Sequence, residues 1–323
     1  MVPFIKDLQK QTAKLLADSQ TVLSFFRYKK LLVSLNDVSK EALSGINKGV
    51  KEELQTLATY EAGFTNRLVN NLSDIPFETV APTASQLKTA AFSTILDGTI
   101  GFKPENGVTV QQALTKFGAK QASSILQAVR TGFALGQTSQ EIAGKIATIT
   151  STVIPRQAQT LAQTITSHVA STARSAFYEA NIDIITSYQV VATLDDRCCI
   201  ECAVLDGRIF SSEEFETPPY HFNCRCTFIG VVDKKFDKGS EETGTRPAKG
   251  DEGVESVSTQ SNYNSWLKNQ NEAFQNEVLG STRGDLFRAG AHLDKFVDHN
   301  YVPYTVADLK KQDDLHVFFT KIK

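Results

Sequence analysis

The chain has 323 residues, 41% of them apolar and 22% charged, which is enough to bury a full core and predicts two or three structural units. A formal net charge of -2 excludes an overall basic protein, so any nucleic-acid contact has to be a local patch. No apolar run reaches the length of a membrane span, and charges interrupt the first thirty residues where a signal peptide would be apolar, so a reducing cytoplasm is the expected compartment.

Residues 1–75 read as a helical arm. Ile5, Leu8, Leu15 and Leu16 recur at helical spacing, and Leu54, Leu57, Tyr60 and Phe64 do so further on. Nine basic and four acidic residues give residues 1–51 a local charge of +5. Arg27, Lys29 and Lys30 lie beside Phe25, Phe26 and Tyr28, and this patch either is a solvated helix face or meets DNA or an acidic partner. Ser73-Asp74-Ile75-Pro76 and Ala81-Pro82 then break the pattern.

Residues 84–188 form a second helical region. Gly98, Gly101, Pro104 and Gly107 mark a loop or short hairpin, after which Leu114, Phe117, Ile125, Val129 and Phe133 make one stripe that Gly136 is placed to end. Thr138-Ser139-Gln140-Glu141 is a capping box for the next helix, whose apolar side carries Ile142 and Ile146. That unit is not a DNA-reading helix-turn-helix, since its second helix offers only Lys145 as a base. Pro155 suits a helix start, and the pattern continues to about Tyr188 along Leu161, Ile165, Val169, Thr172, Ala176 and Ala180. His168 falls off this stripe and is expected to be solvated or hydrogen-bonded, with no second ligand one turn away.

Residues 189–232 are the informative stretch. Gln189 to Thr193 is strand-like and Thr227 to Val232 is expected to close a small β-rich unit, with Asp206-Gly207 as a hairpin turn between short apolar runs. All five cysteines fall here. Cys199-x-x-Cys202 and His221-x-x-Cys224 are two-ligand units of the kind that hold zinc, with Cys226 an alternative to Cys224 as the last ligand and Cys198 the spare thiol. Core filler would scatter the cysteines. A disulfide stays open beside structural Zn²⁺, although an odd number of cysteines cannot all pair.

Asp195-x-Arg197, Cys202, Leu205-Asp206-Gly207 and Pro218-Pro219-x-His221-x-Asn223-Cys224-Arg225-Cys226 together resemble the signature of the Mu F-like phage head morphogenesis proteins. Cys198 stands where that family commonly has Thr. The resemblance extends to helical sequence over roughly residues 85–310, including Trp266-Leu267-Lys268 and Val278 to Arg283. It implies a minor head protein of a tailed bacteriophage, present in few copies at the portal or inner capsid. Such a protein assembles in the host cytoplasm, resides in the virion, and acts in head assembly and DNA packaging or delivery. Its implied partners are portal and capsid proteins, with packaged DNA as a further one.

Residues 233–258 mix charges and glycines and read as a flexible linker. Residues 259–323 return to helix. Leu267, Phe274 and Val278 share a face, Gly280 ends it, Ser281 is placed to cap the next turn and Trp266 is a packing anchor. Leu315 to Phe319 is too apolar for a free tail and either adds to a sheet or docks on a partner. The expected class is therefore α+β, mainly helical, with a small β-rich Cys/His module after a long helix. A zinc-dependent enzyme and a zinc-containing nucleic-acid module are the competing readings. The first lacks a deaminase-type His/Cys-x-Glu before Pro-Cys-x-x-Cys, a phosphate loop, an HExxH and a nucleophile elbow. The second has an acidic loop from Arg208 to Phe222 where bases are needed.

Overall fold

The computed structural model describes residues 10, 11, 14, 25–71, 78–96, 107–233, 235–236 and 244–321. It is a mainly helical α+β protein. A 47-residue helix, α1 (Phe25–Asn71), is the spine of its first half. Against it pack α2 (Ala84–Ser93), α3 (Val110–Ala134) and α5 (Ile154–Glu179), and α4 (Ser139–Thr148) packs on α3. A turn of π-helix, Ile149–Val153, joins α4 to α5.

These helices form where the sequence places their signals. Thr83, Thr109 and Thr138 each build a complete capping box with the Gln or Glu three residues on. Gly136, at φ 66°, supplies the left-handed residue that turns the chain after α3. Leu31, Leu35, Ile125, Val129, Ile142 and Ile146 form one buried cluster, and Leu54, Ala58, Leu114, Ile165 and Val169 belong to a second. Small residues let α1, α3 and α5 approach closely. The strands β1 (Ile95–Leu96) and β2 (Val108–Thr109) pair antiparallel, as the glycine-rich segment suggested.

The buried face of α1 is not the whole stripe of the sequence reading. Leu54, Ala58, Ala62, Thr65 and Val69 are the buried positions, while Tyr60 and Phe64 stack on each other outside. Of the four residues at helical spacing, only Leu54 lies on the buried face, which Ala58 and Ala62 continue. On α5, His168 takes the hydrogen-bonded of the two outcomes expected of it. It is buried where α2 packs on α5, with a hydrogen bond to the Thr94 backbone and an Nε2 that has no partner among the described residues.

Helix α5 stops at Glu179, short of Tyr188. The Asn181 side chain donates to the carbonyls of Phe177 and Val80 and accepts from the Val80 N–H, which terminates the helix and ties in the segment before α2. Strand β3 (Ile185–Val191) follows and lies between β4 (Ile209–Ser211) and β5 (Thr227–Val232), all antiparallel. The turn at Asp206-Gly207 is not a β-hairpin turn. Ile200–Leu205 is a short helix, α6, because Cys199 caps it, and Asp206-Gly207 leads from it into β4.

The linker reading is corrected for residues 244–258. β6 (Thr245–Gly250) and β7 (Gly253–Ser258) are a regular antiparallel hairpin, anchored by a parallel bridge between Leu194 and Ala248. Its polarity comes from an exposed face; Ala248 alone of its residues is buried among the apolar ones. Residues 237–243 of the expected linker lie outside the described residues.

The last part folds back on the module. Helices α7 (Tyr263–Lys268), α8 (Glu272–Leu279), α9 (Ser281–Arg288), α10 (Val306–Leu309) and α11 (His316–Lys321) share one core with β3, α6 and the cysteines. Trp266 is buried edge-on to Tyr263 and Phe274, as an anchor should be. Gly280, at φ 75°, separates α8 from α9; Ser281 is the first residue of α9 and makes no cap. The apolar tail neither joins a sheet nor stays free: Leu315 is fully buried, and Phe318 and Phe319 pack on the same core. No helix among the described residues is long and apolar enough to cross a membrane.

Candidate metal centre

Two turns bring the cysteines together. Cys199 sits at the start of α6 with extended backbone, and its sulfur accepts from the Cys202 N–H at 3.4 Å, so both thiols point to one side of the turn. The second turn runs His221-Phe222-Asn223-Cys224, closed by a Cys224 N–H to His221 carbonyl bond of 3.1 Å with Asn223 at φ 62°. Asn223 is one of the few residue types that tolerates that conformation. Its N–H donates to Thr164 Oγ1 at 3.1 Å, which fixes the turn to α5.

His221 Nε2 lies 3.1 Å from both Cys199 Sγ and Cys202 Sγ, and Cys202 Sγ lies 3.8 Å from Cys224 Sγ. Two thiolates on one tetrahedral zinc, with Zn–S about 2.3 Å, stand about 3.8 Å apart. The Nδ1 side of His221 meets the Phe222 carbonyl at 2.8 Å, which leaves Nε2 for a cation and orients the ring as a ligand's outer partner does. The donor atoms fall into two groups that share Cys202: Cys199, Cys202 and His221, and Cys202, Cys224 and Cys226. All five cysteines are free thiols. The residues present fit a soft divalent metal.

The electrostatics divide the cluster. Hydrogen bonding with Cys202, opposed by burial and helped by His221, holds the Cys199 thiol down to about 5. Cys224 is also held well below its ordinary value, first by Cys202 and Cys226. Hydrogen bonds to Cys199 and Cys224 push His221 up to about 11. Cys202, the donor shared by both groups, is pushed well above its ordinary value by its hydrogen bonds to Cys199, Cys224 and Cys226, so the cluster pairs low thiols at Cys199 and Cys224 with a high one at Cys202. Cys226 contacts Cys202 and Cys224 but is not grouped with His221. Cys198 belongs to neither group; its buried thiol donates to the Cys199 carbonyl at 3.6 Å.

Around this cluster the signature carboxylates hold structure. Asp195 takes the Arg225 guanidinium on both oxygens, with Nη2 to Oδ1 at 2.7 Å, and accepts the Arg197 N–H. Burial pushes its carboxyl up, but Arg225 and Arg197 bring it below its ordinary value. Asp206 is fully buried and is shared by Arg246 (3.0 Å), the Ala192 N–H (2.7 Å) and the Tyr263 N–H (2.7 Å). Glu201 is 3.9 Å from Cys199 Sγ, and burial raises its carboxyl.

Arg246 and Tyr263 were missed by the sequence reading because one sat in the supposed linker. The Gly250-Asp251-Glu252-Gly253 turn between two six-residue segments was the available signal. Of the basic patch, Lys29 and Lys30 are exposed on α1, the Arg27 side chain lies outside the described residues, and Tyr28 stacks on Phe133 at 4.0 Å instead of facing outward.

Compared with known families, residues 123–229 match the model described as Phage Mu protein F like protein. This segment is Mu F-like. It runs from the middle of α3 into β5 and takes in both Cys/His turns, Asp195, Asp206 and Arg225. The match covers one third of the chain and does not reach the Trp266 or Val278–Arg283 segments, so the wider resemblance expected over 85–310 is supported only over its centre. No curated protein and no solved structure matches the chain. The Mu F-like segment points to a phage head morphogenesis protein, a structural constituent of the virion with capsid partners.

Proposed function

We propose that this is a minor head protein of a tailed bacteriophage, seated at the portal or inner capsid and acting in DNA packaging or delivery. The observation that carries it is the Mu F-like match over residues 123–229. The polar groups Asp195, Asp206 and Arg225 of that segment are spent on internal ion pairs, which suits a scaffold more than a catalyst. A cleft of about 920 Å³ between α1 and α3, flanked by Lys40, Lys48, Lys51 and Arg130, supplies a basic surface for packaged DNA, with Lys29 and Lys30 further along α1. Particles assembled without the protein test the reading. Reduced infectivity with portal-bound protein in wild-type particles is expected; unchanged assembly and infectivity contradict it.

Within that role, Cys199, Cys202, His221 and Cys224 hold one structural Zn²⁺. Cys224 is preferred to Cys226 because it alone of the two touches both Cys202 and His221. Four protein ligands leave no open position for water, so the metal staples α6 to the 221–224 turn. Elemental analysis of protein purified without added metal should give about one zinc per chain. Near-zero metal, with a disulfide found by mass spectrometry, contradicts the assignment. Cys202→Ser should lose the metal and cost several kcal/mol of local stability, since structural zinc supplies folding energy directly.

A further inference from the structure

Helices α2 and α5 run antiparallel: Val80, ahead of α2, is bonded to Asn181 after α5, and Thr94 at the end of α2 is bonded to His168. A cleft of about 680 Å³ lies between them. On α5 it is lined from His168 through Thr172 and Ala176 to Glu179, a span of about 16 Å on the helical rise. On α2 it is lined from Thr94 back to Ser85. The cleft is therefore a groove rather than a rounded pocket. Ala90, Ala176 and Ala180 give it small side chains along its length, and no aromatic ring lines it among the described residues. Thr217 also borders it, from the β4–β5 segment that carries His221.

His168 is 3% exposed and lines one end of this groove. Burial keeps its imidazole uncharged, and the ring donates to the Thr94 carbonyl. Nε2 makes no hydrogen bond among the described residues, so Nδ1 is the donor and Nε2 is a lone-pair acceptor left without a donor. Buried polar atoms are normally paired, and the partner this one lacks has to bring an N–H or O–H. Glu179 stands exposed at the other end and is the groove's only charged lining residue among those described. Its carboxylate accepts from Ser175 Oγ at 3.2 Å and makes no ion pair among the described residues.

We propose that this groove binds an extended segment of a partner protein, giving a backbone N–H to His168 Nε2 and a basic side chain to Glu179. An extended chain rises about 3.3 Å per residue, so about five residues span the distance between those two groups. Its alternating N–H and C=O groups are matched by the exposed hydroxyls of Ser85 and Thr89 on α2, which both donate and accept. The alanines leave room for main chain and small side chains. A helix spends its N–H groups on itself and has none for Nε2 along its length. A phosphate backbone brings only acceptors and negative charge to a lone pair and a carboxylate, so nucleic acid is the wrong occupant. Binding here requires neither the zinc nor the head role.

The full chain, isotope-labelled in its histidine rings, is titrated by NMR with capped Gly/Ala peptides of about five residues that carry lysine at the first or the last position. The Nε2 signal of His168, assigned by its loss in His168→Gln, should move saturably with one of the two. The same peptide N-methylated along its backbone should leave the signal in place, and so should one with glutamate for lysine. Glu179→Gln, a change at an exposed position, should weaken binding about threefold with unaltered thermal unfolding. No movement of Nε2 up to about 50 mM peptide means that the groove holds water alone and overturns the site. Equal binding of the N-methylated peptide overturns the backbone N–H, and equal binding of the glutamate peptide overturns the match to Glu179. A shift with short duplex DNA as large as that with peptide makes the groove a nucleic-acid surface and overturns the assignment to a protein segment.

Discussion

Between Phe25 and Glu179 the chain is fastened by stripes, and between Ile185 and Lys321 it is fastened by points. In the helical frame, Leu31, Leu35, Ile125, Val129 and Ile142 share the work, and each contact is replaceable by a neighbour on the same face. In the module the short elements cannot bury enough apolar surface on their own. α6 has six residues and β4 has three, so side chains far apart in sequence lock them together. Asp206 joins α6 to the β6–β7 hairpin and to the start of α7; Asp195 joins the approach to α6 to the residue before Cys226. The two regions meet through Arg174 of α5, which pairs with Glu61 of α1 at 3.0 Å and donates to the Phe228 carbonyl and the Thr227 hydroxyl of β5. Distributed packing tolerates substitution, while a point link fails as a unit.

The largest effect of breaking that contrast should come from Asp206→Ala. It strands a nearly buried Arg246 and two backbone N–H groups, and removing one partner of a buried pair costs about 3–5 kcal/mol. Denaturant melts followed at Trp266 should show it, because the indole sits in the core next to Tyr263. A loss below about 1 kcal/mol would mean that the hairpin and α7 are held by apolar contact alone.

A pH-dependent effect comes next, and it lies in the frame. Burial holds His168 down at about 4, with the Thr94 hydrogen bond opposing, against an ordinary value of 6.5. Between those values the unfolded chain takes up a proton that the folded chain refuses. The stabilising contribution is complete above pH 6.5 and is lost as pH falls toward 4, to a total of about 3 kcal/mol. His168→Gln should flatten the stability profile over that window relative to wild type. Parallel profiles for the two proteins contradict the buried neutral imidazole.

The smallest effect belongs to the stripes. Ile125→Val removes one methylene from a fully buried position and should cost about 0.5–1.5 kcal/mol, with the metal content unchanged. A cost as large as that of Asp206→Ala would erase the distinction between the two regions.

What the sequence made legible follows the same division. Periodicity and caps are local signals, so the stripe from Leu114 to Val129, the capping box at Thr138 and the closing strand Thr227–Val232 could all be read in advance. The two Cys/His turns were legible because each pair is three residues apart, and the structure brings their donors into two groups that share Cys202. The partners of the point links were not legible. Nothing near Asp206 in sequence announces Arg246 forty residues later, and the polarity of Thr245 to Ser258 hid a hairpin whose outer face is wet. Leu54, Leu57, Tyr60 and Phe64 have helical spacing, yet only Leu54 is fully buried, because periodicity does not say how near the neighbouring helix lies.

Hydrogen–deuterium exchange of the purified chain, before and after stripping with a strong zinc chelator, tests the contrast most directly. If a zinc ion staples the module, residues 190–229 lose protection on stripping while α1, α3 and α5 keep theirs, because local opening follows the links that are removed. No change in residues 190–229, or an equal loss across the long helices, contradicts a module held by points on a frame held by stripes.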